Sequence, residues 1–338
     1  MISDAERVAR LQRQASAFGG ARSPLVQQID GMRIVVAGTQ IFEIPSAWSF
    51  HEFLLDYGQS QLGEDSITNN AENHPLVTHL VKGKAGIRPT GVSDGKFVAA
   101  IMNDDLFAFL SFAYDLFTLA DNAEVQKSLF DRLRKPDQYQ GARYEMFVAA
   151  SLLRAGFKIA FEDESDSTTS HCEFTATSEQ TNRSFSVEAK SRHRKSPDFY
   201  DKTIPRSEMY RLMQSALAKN ASHERIIFAD VNLPSDDKPI FQQNWHQEVA
   251  ATLNQLEQKQ RKNDPWPQAI VFFTNRKTLP WLSKTARGNS TVLLTAINHP
   301  LFKVEENREV VERKYPEIGT LFHAANELSR PPSHFFAQ

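Results

Sequence analysis

The stretch HCEFTATSEQTNRSFSVEAKSR, residues 171–192, decides the fold class of this chain. In its second half, apolar and polar residues alternate, as they do along a β-strand. The alternation places Glu188 and Lys190 on one face of that strand, about 7 Å apart. The first half alternates in the same way and places Glu173 on its polar face. A hairpin through residues 178–183 therefore predicts that Glu173 lies beside Glu188 and Lys190.

Strand and helix patterns alternate on both sides of this hairpin. Pro136 and Asp137 favour the start of a helix, and Gly156 suits the position after its end. The patterns predict, in order, a helix over 136–154, strands over 157–164, 171–177 and 184–192, a helix over 207–221, a strand over 224–233, a helix over 242–260, and strands over 268–275 and 290–298. This order predicts a mixed α/β layer.

The N-terminal part of the chain has a different pattern. Its features are one or two short strands over 33–45, a helix over 48–55, a polar and turn-rich loop candidate over 58–75, and an apolar helix that begins at Asp104. We therefore expect a mostly helical α+β domain over residues 1–130 and a second domain over residues 131–338. The first domain is expected to serve in recognition, assembly or regulation.

The hairpin and its preceding helix resemble the PD-(D/E)xK nuclease superfamily, which has the restriction-endonuclease-like fold with an αβββαβ core and a mixed sheet. The letters VEAK supply Glu188 and Lys190 of the family's E-x-K signature. The letters HCEF stand where the family usually has PDF, so Glu173 replaces an Asp. Glu145, in QGARYEMFVAASLLRAGF, matches the acid that the family often takes from the helix. The resemblance covers about residues 136–235.

The context of the signature carries this resemblance, because the bare pattern of an acid, any residue and a lysine is common. It begins at five positions in the chain: Asp94, Glu188, Asp236, Glu257 and Glu312. Among these, Glu188 is the one that follows an alternating strand, a hairpin and an acid on the matching face.

The resemblance implies a Mg²⁺-dependent endonuclease, with Mn²⁺ as a substitute. It implies Glu145, Glu173 and Glu188 as metal ligands, and the same acids with Lys190 as catalytic residues. Clustered carboxylates suit hard cations, which activate water and stabilise charge on a phosphate. The ammonium of Lys190 would position the nucleophile and offset the developing charge.

The charge distribution favours a polyanionic partner. Residues 160–189 contain seven acids and one base, whereas residues 190–225 contain nine bases and four acids. Phosphate contacts are expected from the basic residues Arg192, Arg194, Lys195, Lys202, Arg206 and Arg211. The expected partner is nucleic acid, and the family resemblance implies DNA rather than RNA, in a defence, restriction or repair setting. A homodimer and an accessory protein both stay open.

Simpler interpretations stay open as well. Glu188 and Lys190 can be solvated residues on an edge hairpin, Glu145 can extend to water or pair with Arg143, and the basic stretch can be an ordinary solvated loop. The alternative functions are a catalytically inactive nucleic-acid-binding or structural module of the same fold, and a hydrolase of RNA or another phosphodiester.

The composition excludes several classes of protein. Of 338 residues, 41% are hydrophobic and 24% charged, with a net charge of −2, which is ordinary globular composition. Cys172 is the single cysteine, so an internal disulfide is excluded, and we expect it to face the core. No apolar run approaches the ~18 residues that span a bilayer. The N-terminus lacks the apolar region of a signal peptide, so we expect a cytoplasmic protein without contact to a membrane.

Overall fold

The computed structural model describes residues 8–9, 12, 17–63, 74–93, 96–124, 127–162, 172–192, 207–233, 242–260, 265–276, 292–299, 313–332 and 335–336. Within these residues the chain is a mixed α/β protein with a six-stranded mixed sheet and eight helices. No helix among them is long and apolar enough to cross a membrane.

The N-terminal part combines helices with two small antiparallel sheets. Its elements are β1 (Leu25–Ile29), β2 (Met32–Ala37), β3 (Gln40–Pro45), α1 (Phe50–Leu62), α2 (Pro75–Ala85), β4 (Arg88–Ser93), β5 (Lys96–Ile101), α3 (Asp104–Ala120) and α4 (Lys127–Leu133). The first three strands form one sheet, and β4 pairs with β5. The sequence prediction missed β1, α2, α4 and the β4–β5 hairpin. Pro89 and Gly91 in β4 are residues typical of turns, so the sequence of this segment does not show a strand pattern.

Helix α1 is longer than the sequence predicted. A capping box fixes its start: Ser49 Oγ accepts from the backbone N–H of Glu52 at 3.2 Å, and Glu52 Oε2 accepts from that of Ser49 at 2.6 Å. The helix continues to Leu62, so the predicted loop over 58–75 is wrong at its beginning. Residues 64–73 of that stretch lie outside the described residues.

The C-terminal part follows the predicted order of elements. They are α5 (Tyr139–Arg154), β6 (Phe157–Phe161), β7 (Phe174–Ser178), β8 (Ser184–Ser191), α6 (Ser207–Leu217), β9 (Glu224–Asp230), α7 (Asn244–Gln258), β10 (Ala269–Thr274), β11 (Val292–Ile297) and α8 (Pro316–Asn326). The prediction of a mixed α/β layer is confirmed. Gly156 after α5 has a φ of 81°, which confirms its predicted left-handed position. Helix α8 was not predicted.

The six strands are arranged in the order β11-β10-β9-β8-β7-β6. Strands β8, β9 and β10 run parallel, and the other neighbouring pairs are antiparallel. Helix α6 connects β8 to β9, and α7 connects β9 to β10, as parallel neighbours require a crossover. Strand β8 is therefore an inner strand, hydrogen-bonded on both sides.

Both faces of the sheet centre are covered by apolar side chains. Val187, Ile226 and Phe228 belong to a large cluster that includes α5. Ile227 and Val271 belong to a second cluster, which includes residues of α6 and α7. The alternation that predicted β8 therefore separates two buried faces rather than core from solvent.

The N-terminal and C-terminal parts share one apolar core. Helix α3 is buried on nearly all sides, as the sequence predicted, and it packs against α1, α2 and α5. The large cluster extends from Phe18 through Phe117 and Phe147 to Phe336, across the division after residue 130. The division into two domains stays a prediction.

A buried group of charges joins α3 to α5. The carboxylate of Asp115 lies 2.7 Å from Nη1 of Arg143 and 2.8 Å from Nη1 of Arg154. Arg154 also donates to Oγ1 of Thr118 at 2.7 Å, and its guanidinium lies 3.9 Å from the ring centroid of Tyr114. Asp115 and Arg154 are fully buried, and among the described residues Asp115 is the carboxylate that pairs with both arginines.

We predict that Asp115→Asn lowers the free energy of unfolding by about 3–5 kcal/mol, because it leaves Arg143 and Arg154 buried without their counter-charge. Urea unfolding measures the loss. The control Asp131→Asn removes a pair with Arg134 whose side chains are nearly half exposed, and it should cost less than about 1 kcal/mol. Equal losses in both variants would contradict the assigned role.

Candidate active site

The pairing of β7 with β8 brings the two predicted strand acids together. Phe174 lies opposite Val187 in the antiparallel register. Glu173 precedes that pair by one residue, and its backbone N–H donates to the carbonyl of Val187 at 3.0 Å. Glu173 thus lies beside Glu188, as the sequence predicted.

Lys190 contacts both acids. Its Nζ lies 2.5 Å from Oε1 of Glu188 and 3.5 Å from Oε1 of Glu173. The side chain of Glu188 is 0% exposed, whereas those of Glu173 and Lys190 are 19% and 20% exposed. The cluster therefore extends from the interior to a partly open rim. The alternative of a solvated edge hairpin is wrong, because β8 is an inner strand covered on both faces.

The second carboxylate oxygen of Glu188, Oε2, is unusual because it is buried and the described residues give it no hydrogen bond. An unpaired buried acceptor costs about 1–3 kcal/mol, and more when it is charged. A cation would satisfy it, and the carboxylates of Glu188 and Glu173 are oxygen ligands of the kind that Mg²⁺ and Mn²⁺ take. The residues of this cluster therefore fit a divalent cation.

The surroundings shift the protonation of three groups. Burial raises the pKa of Glu188 to about 7; Glu173 adds to the rise and Lys190 opposes it. Burial by itself lowers the pKa of Lys190, but the carboxylates of Glu188 and Glu173 outweigh it and raise the pKa overall. Near neutral pH, Lys190 is a cation and Glu188 is the group that titrates. Burial, together with Glu188, raises the pKa of Cys172 to about 11, so this thiol is neutral.

The third predicted ligand, Glu145 of α5, is engaged by an arginine. Nη1 and Nη2 of Arg132 in α4 donate to its two oxygens at 2.7 and 2.6 Å. The alternative pairing with Arg143 is wrong, because Arg143 binds Asp115. The charge of Glu145 still helps to raise the pKa of Lys190, so it acts on the same cluster.

The predicted set of three metal-binding carboxylates is not assembled in this arrangement. Within the described ranges, no group of three His, Cys, Asp or Glu side chains is placed to hold a metal ion. Glu173 and Glu188 both contact Lys190, whereas Glu145 accepts hydrogen bonds from the guanidinium group of Arg132.

The structure separates the predicted phosphate-binding residues. The side chain of Arg192 is 2% exposed, its Nε donates to Glu208 at 2.7 Å, and its Nη1 lies 3.9 Å from Glu248. The phosphate contact predicted for Arg192 does not fit this position, because two carboxylates hold the side chain inside the fold. Arg211 on α6 is exposed, as predicted. The remaining members lie outside the described residues: Arg194, Lys195, Lys202 and Arg206.

A second polar cluster was not predicted from the sequence. A cavity of about 610 Å³ opens at the other end of the sheet, where β9 and β10 begin. There, Oε1 of Glu224 lies 2.5 Å from Nε2 of His299 and accepts from the hydroxyl of Tyr315 at 3.1 Å. These residues come from distant parts of the chain, so no local pattern marks them. Arg132 was missed for the same reason.

Comparisons of the chain with protein-family models, with curated proteins and with solved structures found no match.

We predict a pH-dependent effect of Glu188→Gln on stability. Between pH 4.5 and about 7 the folded protein keeps a proton on Glu188 that the unfolded chain has released. The free energy of unfolding of the wild type should therefore fall relative to that of the variant as the pH rises, by at most about 1.4 kcal/mol per pH unit. Above about pH 7 the difference should become constant. Urea unfolding at a series of pH values measures it.

The control is Glu179→Gln, which removes a half-exposed carboxylate at the surface. This variant tests for the general effect of losing one acid. A difference between wild type and Glu188→Gln that is flat from pH 4.5 to 7 would contradict the assigned environment of Glu188.

Proposed function

We propose that the chain is a Mg²⁺-dependent nuclease of the PD-(D/E)xK type that hydrolyses phosphodiester bonds, of DNA rather than RNA, in defence, restriction or repair. The observation that carries the proposal is the contact of Lys190 with both Glu188 and Glu173, from adjacent strands of a mixed sheet. The order of elements from α5 to β9 supports a restriction-endonuclease-like core. We place the activity in the cytoplasm.

Glu173 and Glu188 are the residues that would hold the cation. Mg²⁺ commonly takes one or two protein carboxylates and completes its shell with waters and substrate phosphates, so two acids suffice. The buried Oε2 of Glu188 supports this assignment, because the described residues offer it no hydrogen-bond donor. When bound, the ion would supply Lewis-acid stabilisation of the phosphate charge and activation of water.

Lys190 would perform the chain's own part of the chemistry. Its ammonium has three donors, so contacts with two carboxylates leave one for the attacking water or a phosphate oxygen. The raised pKa of Lys190 keeps that charge in place at neutral pH. A fixed charge in a partly buried site stabilises a transition state more than a mobile one in water does. As water attacks phosphorus and the bond to the leaving oxygen breaks, Lys190 would offset the added negative charge.

The second candidate is a catalytically inactive nucleic-acid-binding or structural module of the same fold. Two observations favour it: the contact of 2.5 Å between Lys190 and Glu188 closes part of the cluster, and Arg132 holds Glu145. Glu173, which stands where the PD-(D/E)xK family usually has an Asp, also favours the inactive module. A hydrolase of RNA or another phosphodiester is the third candidate, and parallel DNA and RNA substrates distinguish it.

We predict that Lys190→Met retains binding of Mn²⁺ and of DNA but lowers the rate of DNA cleavage by ~100-fold or more, because it removes one preorganised charge and keeps much of the stem. Calorimetric titration with Mn²⁺ and single-turnover cleavage on the same preparations measure the two effects. The control Lys158→Met changes a lysine on β6 that is 73% exposed, and this variant should cleave DNA at the wild-type rate. A wild-type rate in Lys190→Met would refute the catalytic assignment. A wild type that binds both Mn²⁺ and DNA but cuts no substrate would favour the inactive module.

Variants of Arg192 and Arg211 should distinguish an arginine that stabilises the fold from one that contacts a phosphate of the DNA. Arg192→Gln should lower the free energy of unfolding by about 1–3 kcal/mol, because a buried, paired group is lost, and leave the salt dependence of DNA binding unchanged. Arg211→Gln should unfold like the wild type and reduce the slope of log K against log[salt] by ~0.9, one phosphate contact on duplex DNA. Fluorescence anisotropy over a range of salt concentrations measures the slopes. An unchanged slope in Arg211→Gln would exclude that residue from the interface.

A further inference from the structure

We propose that the chain forms a homodimer in which strand β1 pairs antiparallel with β1 of a second copy, with the twofold axis at Gln27. The proposal concerns the small sheet that β1, β2 and β3 form, far along the chain from the candidate active site. It does not depend on the proposed function.

The turn after β1 fixes the direction of its backbone hydrogen bonds. Asp30 and Gly31 have φ values of 47° and 80°, as the central residues of a two-residue hairpin turn of type I′ require. Ile29 and Met32 flank the turn and lie opposite each other, so they form a hydrogen-bonded pair. Such pairs alternate with non-hydrogen-bonded ones. Every second residue of β1, counted back from Ile29, therefore directs its backbone N–H and C=O toward β2.

The residues between them, Val26 and Gln28, direct their backbone N–H and C=O away from β2. Among the described residues no strand pairs with that side, because β1 is the first strand in the order β1-β2-β3. An edge strand with unpaired groups is a template for pairing with another chain. Strand β1, with the letters LVQQI, has neither charge nor proline, whereas β3 at the other edge contains Glu43 and Pro45, which protect an edge. Strand β1 is thus the edge suited to pairing.

The sequence of β1 is complementary to itself when two copies run antiparallel. With the axis at Gln27, Val26 of each copy lies opposite Gln28 of the other, and each such pair exchanges two backbone hydrogen bonds. The side chain of Gln27 then meets that of Gln27 in the second copy, and two amides can each donate and accept. Leu25 meets Ile29 on both sides of the axis, and apolar cross-strand pairs stabilise a sheet.

The side chains that would meet are exposed in the single copy. Leu25 is 74% exposed and Ile29 is 46% exposed. The strand register places Met32 and Ile41, two further exposed hydrophobic residues, on the same outer face. Apolar side chains gathered on one exposed face mark an interaction surface. Pairing of two copies would join their outer faces into one continuous face and cover part of the apolar surface beside the axis.

The charges at the two ends of β1 favour the antiparallel arrangement. Arg22 precedes the strand and Asp30 follows it, and both are exposed. Antiparallel pairing brings Asp30 of one copy to the end at which Arg22 of the other copy lies. Parallel pairing would instead place like charges at the same end. This complementarity favours a second copy over an unrelated extended peptide, because the chain itself carries the opposite charge at each end.

The small size of the interface sets the strength of the dimer. Two five-residue strands, at about 3.3 Å per residue, meet over a length of about 17 Å. Stable interfaces bury about 1,200–2,000 Å², and smaller ones belong to weak or transient complexes. We therefore expect a dimer that dissociates on dilution.

The test measures the mass of the full chain by analytical ultracentrifugation at concentrations from about 1 μM to about 1 mM. The wild type should change from monomer to dimer within this range. Gln27→Lys and Gln27→Glu should each weaken the dimer by about tenfold or more, because like charges meet at the axis. An equimolar mixture of these two variants should dimerise again, since opposite charges then meet. The control Glu43→Lys changes the charge of the same outer face on β3 and should dimerise like the wild type.

Two further variants test the register. Gln28→Pro removes a backbone N–H that points to the edge and not to β2, so it should abolish the dimer and keep the hairpin. Gln27→Cys should form a disulfide between copies on oxidation, because residues of a non-hydrogen-bonded pair have Cα atoms about 4.5 Å apart, within the range of a disulfide. Cys172 is buried, and Glu43→Cys is the control that should not cross-link. Thermal unfolding of every variant checks that the fold is kept.

The outcomes decide the proposal without reference to catalysis. A wild type that stays monomeric up to about 1 mM would overturn it. So would a dimer that Gln27→Lys leaves unchanged, or one that the mixture of charge variants fails to restore, because the interface would then lie elsewhere. If Gln28→Pro does not fold, the charge variants and the disulfide decide. None of these results bears on DNA cleavage, so their failure leaves the proposed function standing.

Discussion

The carboxylate of Asp115 holds two arginines of α5 against α3, and the position of the candidate site depends on that contact. Arg143 and Arg154 lie about three turns apart on α5, so one acid fixes the helix at two points. Helix α5 covers one face of the sheet and carries Glu145 toward the cluster around Lys190. Two buried ion pairs to one carboxylate restrict the depth and the rotation of the helix, because a shift would leave a buried charge uncompensated.

The charges of the candidate site, like those of the buried group on α3 and α5, do not cancel. Three acids, Glu145, Glu173 and Glu188, act on Lys190, and Arg132 neutralises one of them. The acids exceed the bases by one when all are ionised. A pKa of about 7 for Glu188 means that part of this excess is relieved by a proton near neutral pH. The buried group of α3 and α5 carries a net positive charge, whereas the fully ionised site carries a net negative one.

The sequence predicted what depends on local pattern and missed what depends on distant partners. The alternation in β7 and β8 was enough to place Glu173, Glu188 and Lys190 together, because strand geometry has a strict period of two. It could not reveal that α6 and α7 would cover the face on which Glu188 lies. A polar face next to a hairpin is ordinarily solvated, and burial of that face is a property of the whole sheet.

The same limit explains the errors about two ion pairs. Arg192 stands in a basic run and was expected to face solvent, but Glu208 and Glu248 from two separate helices enclose it. The sequence offered Arg143 on the same helix as a partner for Glu145, whereas Arg132, which binds it, lies on the preceding helix α4. Ion pairs between elements follow no sequence period, so composition predicts how many charges exist and not which of them meet.

The choice between the two proposed functions, an enzyme or an inactive binding module, depends on whether Lys190 can leave its contact with Glu188. A lysine fully buried with a single acid would be trapped, because separating the two would leave each charge uncompensated. Lys190 is 20% exposed and has Glu173 as a second partner at 3.5 Å, so it can leave Glu188 while keeping a carboxylate and some water. Glu188 has no contact with solvent, since its side chain is fully buried. Glu188 and Glu173 would hold the proposed cation, and Lys190 has Glu173 and the solvent-facing rim as an alternative to its contact with Glu188. This asymmetry in burial between the acid and the lysine supports the proposal of an enzyme over that of a permanently closed module.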